Sequence, residues 1–335
     1  MSLGPTIRVL PAEEIAARAG GEIDFLAWPD RGTVFAVRAM RLRQLARGHA
    51  MGDFLGFVAE LSLAQQAALD AFPEVPLPDD AAIDRARLRQ APPLPAADWS
   101  RAPAWRDALR SIATAVRMAG GEPARRVVDD LLAADAAVLE SQADALLDGT
   151  SAGLDLASAP LVGAALQVYW THLALALSTR TAGAGRAIGR IADETRCPAC
   201  GSAPVASLTR SSGESLGQRF LQCSLCSLQW HLLRSKCPHC LASDGLAFQS
   251  LDPADLPEGE SRAAQAAVQA ESCDRCGHYL KIVHADRDPH VDAVADDLAS
   301  VTLDLLVAQT GLKRHGVNLM LLFGDGPPDE PPDPG

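Results

Sequence analysis

The sequence has few aromatic residues, no excess of positive charge and no cysteine before Cys197. Aromatic residues make up 4% of its 335 residues, so we expect hydrophobic cores built mainly from alanine, leucine and valine. The hydrophobic share of 48% is large enough for such cores. Acidic residues outnumber basic ones by 42 to 30, and the net charge of −12 excludes a generic basic nucleic-acid binder.

An export signal is also missing from the start of the sequence. Residues 1–22 show no charged start followed by an apolar run and a small-residue cleavage site. We therefore predict a cytoplasmic location, where the reducing environment keeps the eight cysteines as thiols instead of disulfides.

The part of the chain before the cysteines predicts an all-α domain. Apolar residues recur every three or four positions at 41–50 and 52–71, and again after Trp105 and after Pro123. Proline-rich connections separate these segments. Pro123 is placed to begin the fourth helix, whose apolar face continues towards Leu147.

Residues 156–179 contain no charged side chain, a length that would allow a membrane span of about 20 residues. Pro160, Gln167 and Thr171 interrupt this alanine-rich segment. We therefore predict a helix buried on all sides in a bundle, without membrane insertion. His172 is then expected to be a hydrogen-bonded core residue and not a ligand.

All eight cysteines occur in four C-x2-C pairs. Two residues between cysteines form a tight turn that aims both sulfurs at one ion, and two such turns complete a tetrahedral site of four thiolates. We predict two metal ions per chain, zinc or iron, because the spacing does not distinguish the two metals. The predicted ligands are Cys197, Cys200, Cys223, Cys226, Cys237, Cys240, Cys273 and Cys276.

The four pairs can be combined in more than one way. Pairing in sequence order encloses loops of 22 and 32 residues, each long enough for a hairpin, and makes two zinc-ribbon or rubredoxin-like modules. Interleaved pairing would make one cross-braced unit, and we favour the sequential form. Two alternatives remain open: dithiol–disulfide chemistry at one pair, and replacement of a cysteine ligand by His231 or His239.

Other candidate chemistry is weaker. Asp296 and Asp297 are adjacent on a predicted helix and could bind a cation, but their side chains point about 100° apart, so we expect solvated or capping carboxylates. We interpret Asp129 and Asp130 in the same way. Several basic residues follow the last cysteine pair. We expect ordinary surface positions for them, with contact to an acidic protein partner as the alternative: Lys281, His284, His290, Arg314 and His315.

The cysteine-containing region does not favour nucleic acid as a partner. Residues 186–288 contain 11 basic and 12 acidic side chains. Each tetrathiolate centre that holds a dication adds a charge of about −2, because four thiolates face one ion. A region this acidic binds phosphate poorly, so a protein partner is the better prediction.

Together these observations predict an α-plus-small-β chain: an all-α N-terminal helical domain, two rubredoxin-like or zinc-ribbon tetracysteine modules, and a C-terminal helix. The predicted domains are 1–185 for the helices, 186–235 and 236–288 for the two metal modules, and 289–324 for a helix and strand that pack on the modules. Residues 325–335, rich in proline and aspartate, are predicted to be disordered.

Several stretches of the sequence match one known family. They are Cys197-Pro-Ala-Cys200-Gly201, the stretch from Phe220 through Trp230 to Cys240, the stretches Cys273 to Lys281 and Asp296 to Asp304, and, in the helical part, Arg41-Leu-Arg-Gln-Leu45 and Asp53-Phe-Leu-Gly-Phe57 followed by Gln65-Gln66. On these stretches the chain resembles the formate dehydrogenase accessory protein FdhE family from about residue 35 to residue 323. One departure is Leu241, where the resemblance leads us to expect glycine.

The resemblance implies a cytoplasmic maturation factor that is not itself an enzyme. Such proteins bind the catalytic subunit of a respiratory formate dehydrogenase before its export by the twin-arginine route. It also implies that the eight cysteines bind metal, with iron and a redox role on the client enzyme as one possibility and structural zinc as the other. A rubredoxin-like iron protein would be coloured, whereas a zinc protein would not.

Overall fold

The computed structural model describes residues 24–150, 152–182, 185–212, 215–251 and 262–322. The start of the chain, on which the prediction about export rests, and the tail at 325–335 lie outside these residues. The described part has a helical N-terminal region followed by a sheet region that carries all eight cysteines. The predicted combination of an all-α region with a small β region is therefore confirmed.

Seven helices form the N-terminal part that the structure describes. The amphipathic segment after Trp105 is helical as predicted, and Pro123 lies in the first turn of its helix. The helices are α1 (Val34–Leu45), α2 (Gly52–Asp70), α3 (Asp80–Leu88), α4 (Ala104–Val116), α5 (Glu122–Ala133), α6 (Ala136–Leu147) and α7 (Ala159–Ser178).

The helix boundaries differ from the sequence prediction at three places. Helix α1 lies earlier than the predicted 41–50, and α3 was not predicted. The single helix expected from Pro123 towards Leu147 is divided into α5 and α6. The division occurs because the Asp135 side chain accepts a hydrogen bond from the Val138 N–H, which starts a new helix after the extended Ala134.

Helix α7 is the centre of the bundle and packs against α2, α4 and α6. In the described part of the chain it is the one helix long and apolar enough for a membrane span, but 83% of its most apolar window is buried inside the protein. This burial fits the prediction of a core helix. His172 is hydrogen-bonded to Arg31 at 3.2 Å and contacts the Phe72 ring, as expected for a structural histidine.

The sheet region contains two hairpin modules that share one continuous sheet. The strands are β1 (Leu26–Ala27), β2 (Thr181–Ala182), β3 (Gly185–Arg186), β4 (Pro204–Ser212), β5 (Ser215–Cys223), β6 (Gln229–His231), β7 (Leu246–Gln249), β8 (Val268–Cys273), β9 (His278–His284) and β10 (Lys313–Arg314). The strand order is β1-β6-β5-β4-β9-β8-β7, with β10 also on β9, and β2 and β3 form a separate ribbon. Strand β4 of the first module pairs in parallel with β9 of the second, which places Leu208 opposite Val283.

A buried ion pair also joins the two modules. The Arg219 guanidinium and the Glu271 carboxylate are both inaccessible to solvent and are hydrogen-bonded to each other. Arg219 additionally donates to the backbone carbonyls of Leu233 and Lys236, in the segment that connects the modules. This one side chain therefore fixes the connection as well as the contact between the modules.

The C-terminal segment forms two short helices, α8 (Ala293–Ala299) and α9 (Val301–Ala308), where we expected one. Helix α8 packs against both α1 and the sheet. Asp296 forms an ion pair with Arg41 of α1 at 2.6 Å, and both side chains are buried. The C-terminal segment therefore packs on the helical part as well as on the sheet.

The prediction that Asp296 and Asp297 are solvated is wrong, because each is only 2% exposed. Asp296 does act as a capping carboxylate: it accepts a hydrogen bond at 2.8 Å from the backbone N–H of Asp292, the N-cap of α8. Asp297 accepts hydrogen bonds from Arg314 and Asn318 and forms an ion pair with Lys281 at 3.0 Å. The Lys281 side chain is completely buried and that of His284 is only 1% exposed, so the surface position expected for each is wrong as well. These charges stabilise the packing of the C-terminal segment on β9.

Candidate metal centres

Each C-x2-C pair lies in a tight turn that ends with a left-handed residue. The φ angles are +76° at Gly201, +59° at Ser227, +62° at Leu241 and +68° at Gly277. The backbone N–H of this residue returns to the first cysteine of three of the turns, for example from Gly201 to the Cys197 carbonyl at 2.8 Å. Ser227 and Leu241 thus adopt the conformation that glycine adopts without strain in the other two turns.

The turns come together in sequence order, so the sequential pairing is confirmed. Within each group of four cysteines all sulfurs lie within 4.8 Å of one another. The closest sulfur–sulfur distances are 3.4, 3.5 and 3.8 Å in the first group and 3.8 Å twice in the second. The groups are Cys197, Cys200, Cys223 and Cys226, and Cys237, Cys240, Cys273 and Cys276.

This geometry fits a tetrahedral metal ion. Four sulfurs placed about 2.3 Å from a central ion define a tetrahedron with edges of about 3.8 Å. All eight cysteines are free, so none is used in a disulfide. Backbone N–H groups also point at the sulfurs: Leu225 and Cys226 donate to Cys223 Sγ at 3.3 and 3.4 Å, and His239 donates to Cys237 Sγ at 3.4 Å. Such donors stabilise thiolate charge.

The first group lies at the contact between the sheet and the helical part. The backbone N–H of Leu94 donates to the Ala199 carbonyl, and that of Ala96 to the Cys200 carbonyl, at 3.0 and 2.9 Å. Gln167 of the core helix α7 donates to the Ser224 carbonyl at 2.7 Å. Both turns of the first group are therefore anchored to the helical part by hydrogen bonds.

The second group lies closer to solvent. Cys240 is exposed and Cys276 is half-buried. A cluster of three histidines lies next to it: the rings of His239 and His278 are stacked at 3.8 Å, and the ring of His315 meets His239 edge-on at 4.8 Å. The three histidines come from three separate segments of the chain.

Comparison with known families identifies the chain. A model of the FdhE N-terminal region matches residues 23–184, the FdhE central domain matches 196–234 and the FdhE C-terminal domain matches 235–321. The chain belongs to the FdhE family. The central and C-terminal matches contain the first and the second group of cysteines, respectively.

Two relatives and one solved structure support the FdhE assignment. Protein FdhE of Escherichia coli O9:H4 is 35% identical over 326 residues, which cover 96% of this chain and 99% of that protein. The FdhE homolog of Pseudomonas aeruginosa is 38% identical over 291 residues, covering 87% and 91%. The crystal structure of the FdhE protein from Pseudomonas aeruginosa matches with a TM-score of 0.76 over 88% of this chain and 98% of that one.

The pKa values of the thiols in this FdhE chain reflect burial and crowding. Burial raises the pKa of Cys197 and Cys226 well above the usual thiol value. Burial acts in the same direction at Cys200, but hydrogen bonds from neighbouring thiols outweigh it and lower its pKa well below that value. Burial therefore opposes the accumulation of thiolate charge in the first group, and a metal ion that binds there would have to displace thiol protons.

Sequence reasoning did not find the histidine cluster of this FdhE chain. His239 was considered as a possible ligand because it lies within a C-x2-C pair, and its ring nitrogen does lie close to Cys276. His231 is in strand β6 with its ring against Phe220, and it belongs to none of the potential metal groups among the described residues. His278 directly follows the Cys276-Gly277 turn, but no sequence signal pairs it with His315.

Proposed function

We propose that this FdhE chain is a cytoplasmic maturation factor for a respiratory formate dehydrogenase. It binds the catalytic subunit of that enzyme before export, and it is not itself an enzyme. Its eight cysteines hold two metal ions. The observation that carries the proposal is the pair of tetrathiolate groups with tetrahedral spacing in a chain that matches FdhE along most of its length.

The first group explains why such a factor needs metal. Its four cysteines are buried, and its turns are bonded to α7 and to the segment before α4. A bound ion supplies a tetrahedral link between two segments that are distant in sequence. Four uncompensated thiolates at such spacing would repel one another, so the link depends on the cation.

Binding to the client is tested with purified full-length protein. The tagged chain is mixed anaerobically with the catalytic subunit of a respiratory formate dehydrogenase that still carries its export segment. We expect the two to elute together in size-exclusion chromatography, and the mature holoenzyme to bind more weakly. A metal-replete, folded chain that forms no complex with the unexported subunit would overturn the proposal.

Rubredoxin-like iron with an electron-transfer or redox-repair role on the client is the second candidate. The exposure of Cys240 favours it, because electrons pass more readily to a centre near the surface. Metal analysis of protein purified without oxygen distinguishes the two. About two zinc per chain without colour supports a structural role, and about two iron with an absorption band that bleaches on reduction supports the redox role.

A further inference from the structure

The two cysteine groups differ in how far solvent can reach them. The four cysteines of the first group are 0% or 1% exposed. In the second group Cys240 is exposed and Cys276 is half-buried, although Cys237 and Cys273 are buried. A dissolved chelator can therefore approach an exposed cysteine of the second group directly, whereas all four cysteines of the first group are covered.

Ring nitrogens lie beside Cys276, the half-buried cysteine of the second group. His239 and His278 each offer a nitrogen within 4.8 Å of the Cys276 sulfur and of each other. Two imidazoles and a thiolate are ligands that zinc accepts in proteins. The Nδ1 atom of His239 and the Nε2 atom of His315 are buried, and neither has a hydrogen-bond partner among the described residues.

We propose that the second centre exchanges its metal ion with solution, and that His239 and His278 form with Cys276 an auxiliary ligand set that takes the ion during exchange. The proposal rests on the proposed function, because it assumes that both cysteine groups hold ions. It goes further by assigning different roles to the two centres: the first keeps its ion as a structural link, and the second gives and receives it.

The stacking of the rings explains why this set is temporary. The planes of His239 and His278 differ by only 11°. The lone pair of an imidazole nitrogen lies in the plane of its ring, so two parallel rings cannot both point at one ion without rotation. The set therefore holds an ion with one imidazole at a time.

The exchange step is a ligand substitution without oxidation. The bond from the ion to the Cys240 sulfur breaks, and a bond to an imidazole nitrogen of His239 or His278 forms, while Cys276 remains a ligand of the ion. The released thiolate takes a proton from water. The ion keeps four ligands and moves towards solvent, where a chelator or a recipient protein can remove it.

Zinc release from the full-length, zinc-loaded chain tests the proposal. The protein is mixed with an excess of a colorimetric zinc chelator, and absorbance is followed with time. We expect one zinc per chain to leave at least about tenfold faster than the other. Replacing both ring ligands, His239→Gln with His278→Gln, should slow the fast phase severalfold without changing the zinc content, because the ligand that replaces Cys240 during exchange is then missing.

The sign of this effect separates an auxiliary ligand from a packing role. If the histidines only pack around the centre, the double variant releases zinc faster or at the same rate, and either result overturns the proposal. A single release rate for both ions overturns it too. His290→Gln, which changes an exposed histidine, is the matched control and should leave both rates unchanged.

If the double variant fails to bind the second zinc ion, a single substitution provides the test instead. His239→Gln alone removes a ring whose Nδ1 has no hydrogen-bond partner among the described residues, and it is judged by the same slowing of the fast phase. The client is absent from the experiment. Zinc release rates that contradict the exchange proposal therefore say nothing about binding of the catalytic subunit, which is measured separately. Absence of that complex, in turn, does not change the release rates.

Discussion

Acid should destabilise the protein through a single buried histidine, His284, at the end of strand β9. Its side chain is 1% exposed and forms a 2.8 Å hydrogen bond with the Gln269 side chain. Burial, followed by the nearby Arg287 charge, lowers the pKa of His284 to about 4, and Asp286 only partly opposes this. The folded protein therefore keeps His284 neutral over a pH range in which the unfolded chain would protonate it.

The direction and size of the effect follow from this difference. The pKa of His284 in the folded protein lies below the unfolded value of about 6.5. The contribution of neutral His284 to the free energy of unfolding is therefore fully present above about pH 6.5 and is lost as the pH falls towards 4. With these two values, the free energy of unfolding should fall by about 2 kcal/mol between pH 8 and pH 5 because of His284 alone.

Urea unfolding at a series of pH values, compared between the natural chain and His284→Gln, measures this contribution. Both proteins contain the same cysteine groups, so acid-driven loss of metal affects them alike, and the difference between them reports His284. Between pH 8 and pH 5, the free energy of unfolding of the natural chain should fall by about 2 kcal/mol more than that of His284→Gln. A His284 ring that titrates near pH 6.5 in an NMR experiment on the folded protein would refute the reasoning.

Two further substitutions test the joining of the modules. Glu271→Gln removes the negative partner of buried Arg219 and should lower the free energy of unfolding, measured by urea denaturation, by about 3–5 kcal/mol. A loss below about 1 kcal/mol would mean that the ion pair is not desolvated. Gly316→Ala places a Cβ 2.6 Å from the Val205 carbonyl oxygen and should cost about 1–3 kcal/mol, whereas Gly189→Ala, with no atom within 4 Å, is the control and should change little.

The two groups of four cysteines could be predicted from sequence because their determinants are local. The C-x2-C spacing defines each turn, and the loops of the two hairpins limit which turns can meet. Even the unfavourable turn at Leu241 has the left-handed conformation, because the position after the second cysteine sets the backbone whatever residue occupies it. The helical part was predicted for the same reason: the apolar periodicity of α4 is contained within one segment.

Features that depend on distant partners could not be predicted in this way. Asp296 is separated from Arg41 by 255 residues, and an acidic pair on a short helix gives no sign that a buried arginine will face it. The parallel pairing of β4 with β9 is likewise invisible to a pattern within either strand. The burial of Asp296 and Asp297 and the joining of the two modules into one sheet both depend on residues far apart in the sequence. A buried charge finds its partners only in the tertiary fold.

The two cysteine groups lie at different places in the fold, and this difference suits them to different roles. The first group lies where α7, the segment before α4 and the sheet meet, so an ion bound there would link these parts of the chain. The second lies in the module at the other side of the parallel β4–β9 pairing, and solvent reaches its exposed cysteine. The sheet and the Arg219–Glu271 pair hold that module to the first without any ion, as the proposed exchange at the second group requires. A structural link and an accessible centre are different requirements, and one buried tetrathiolate site could not meet both.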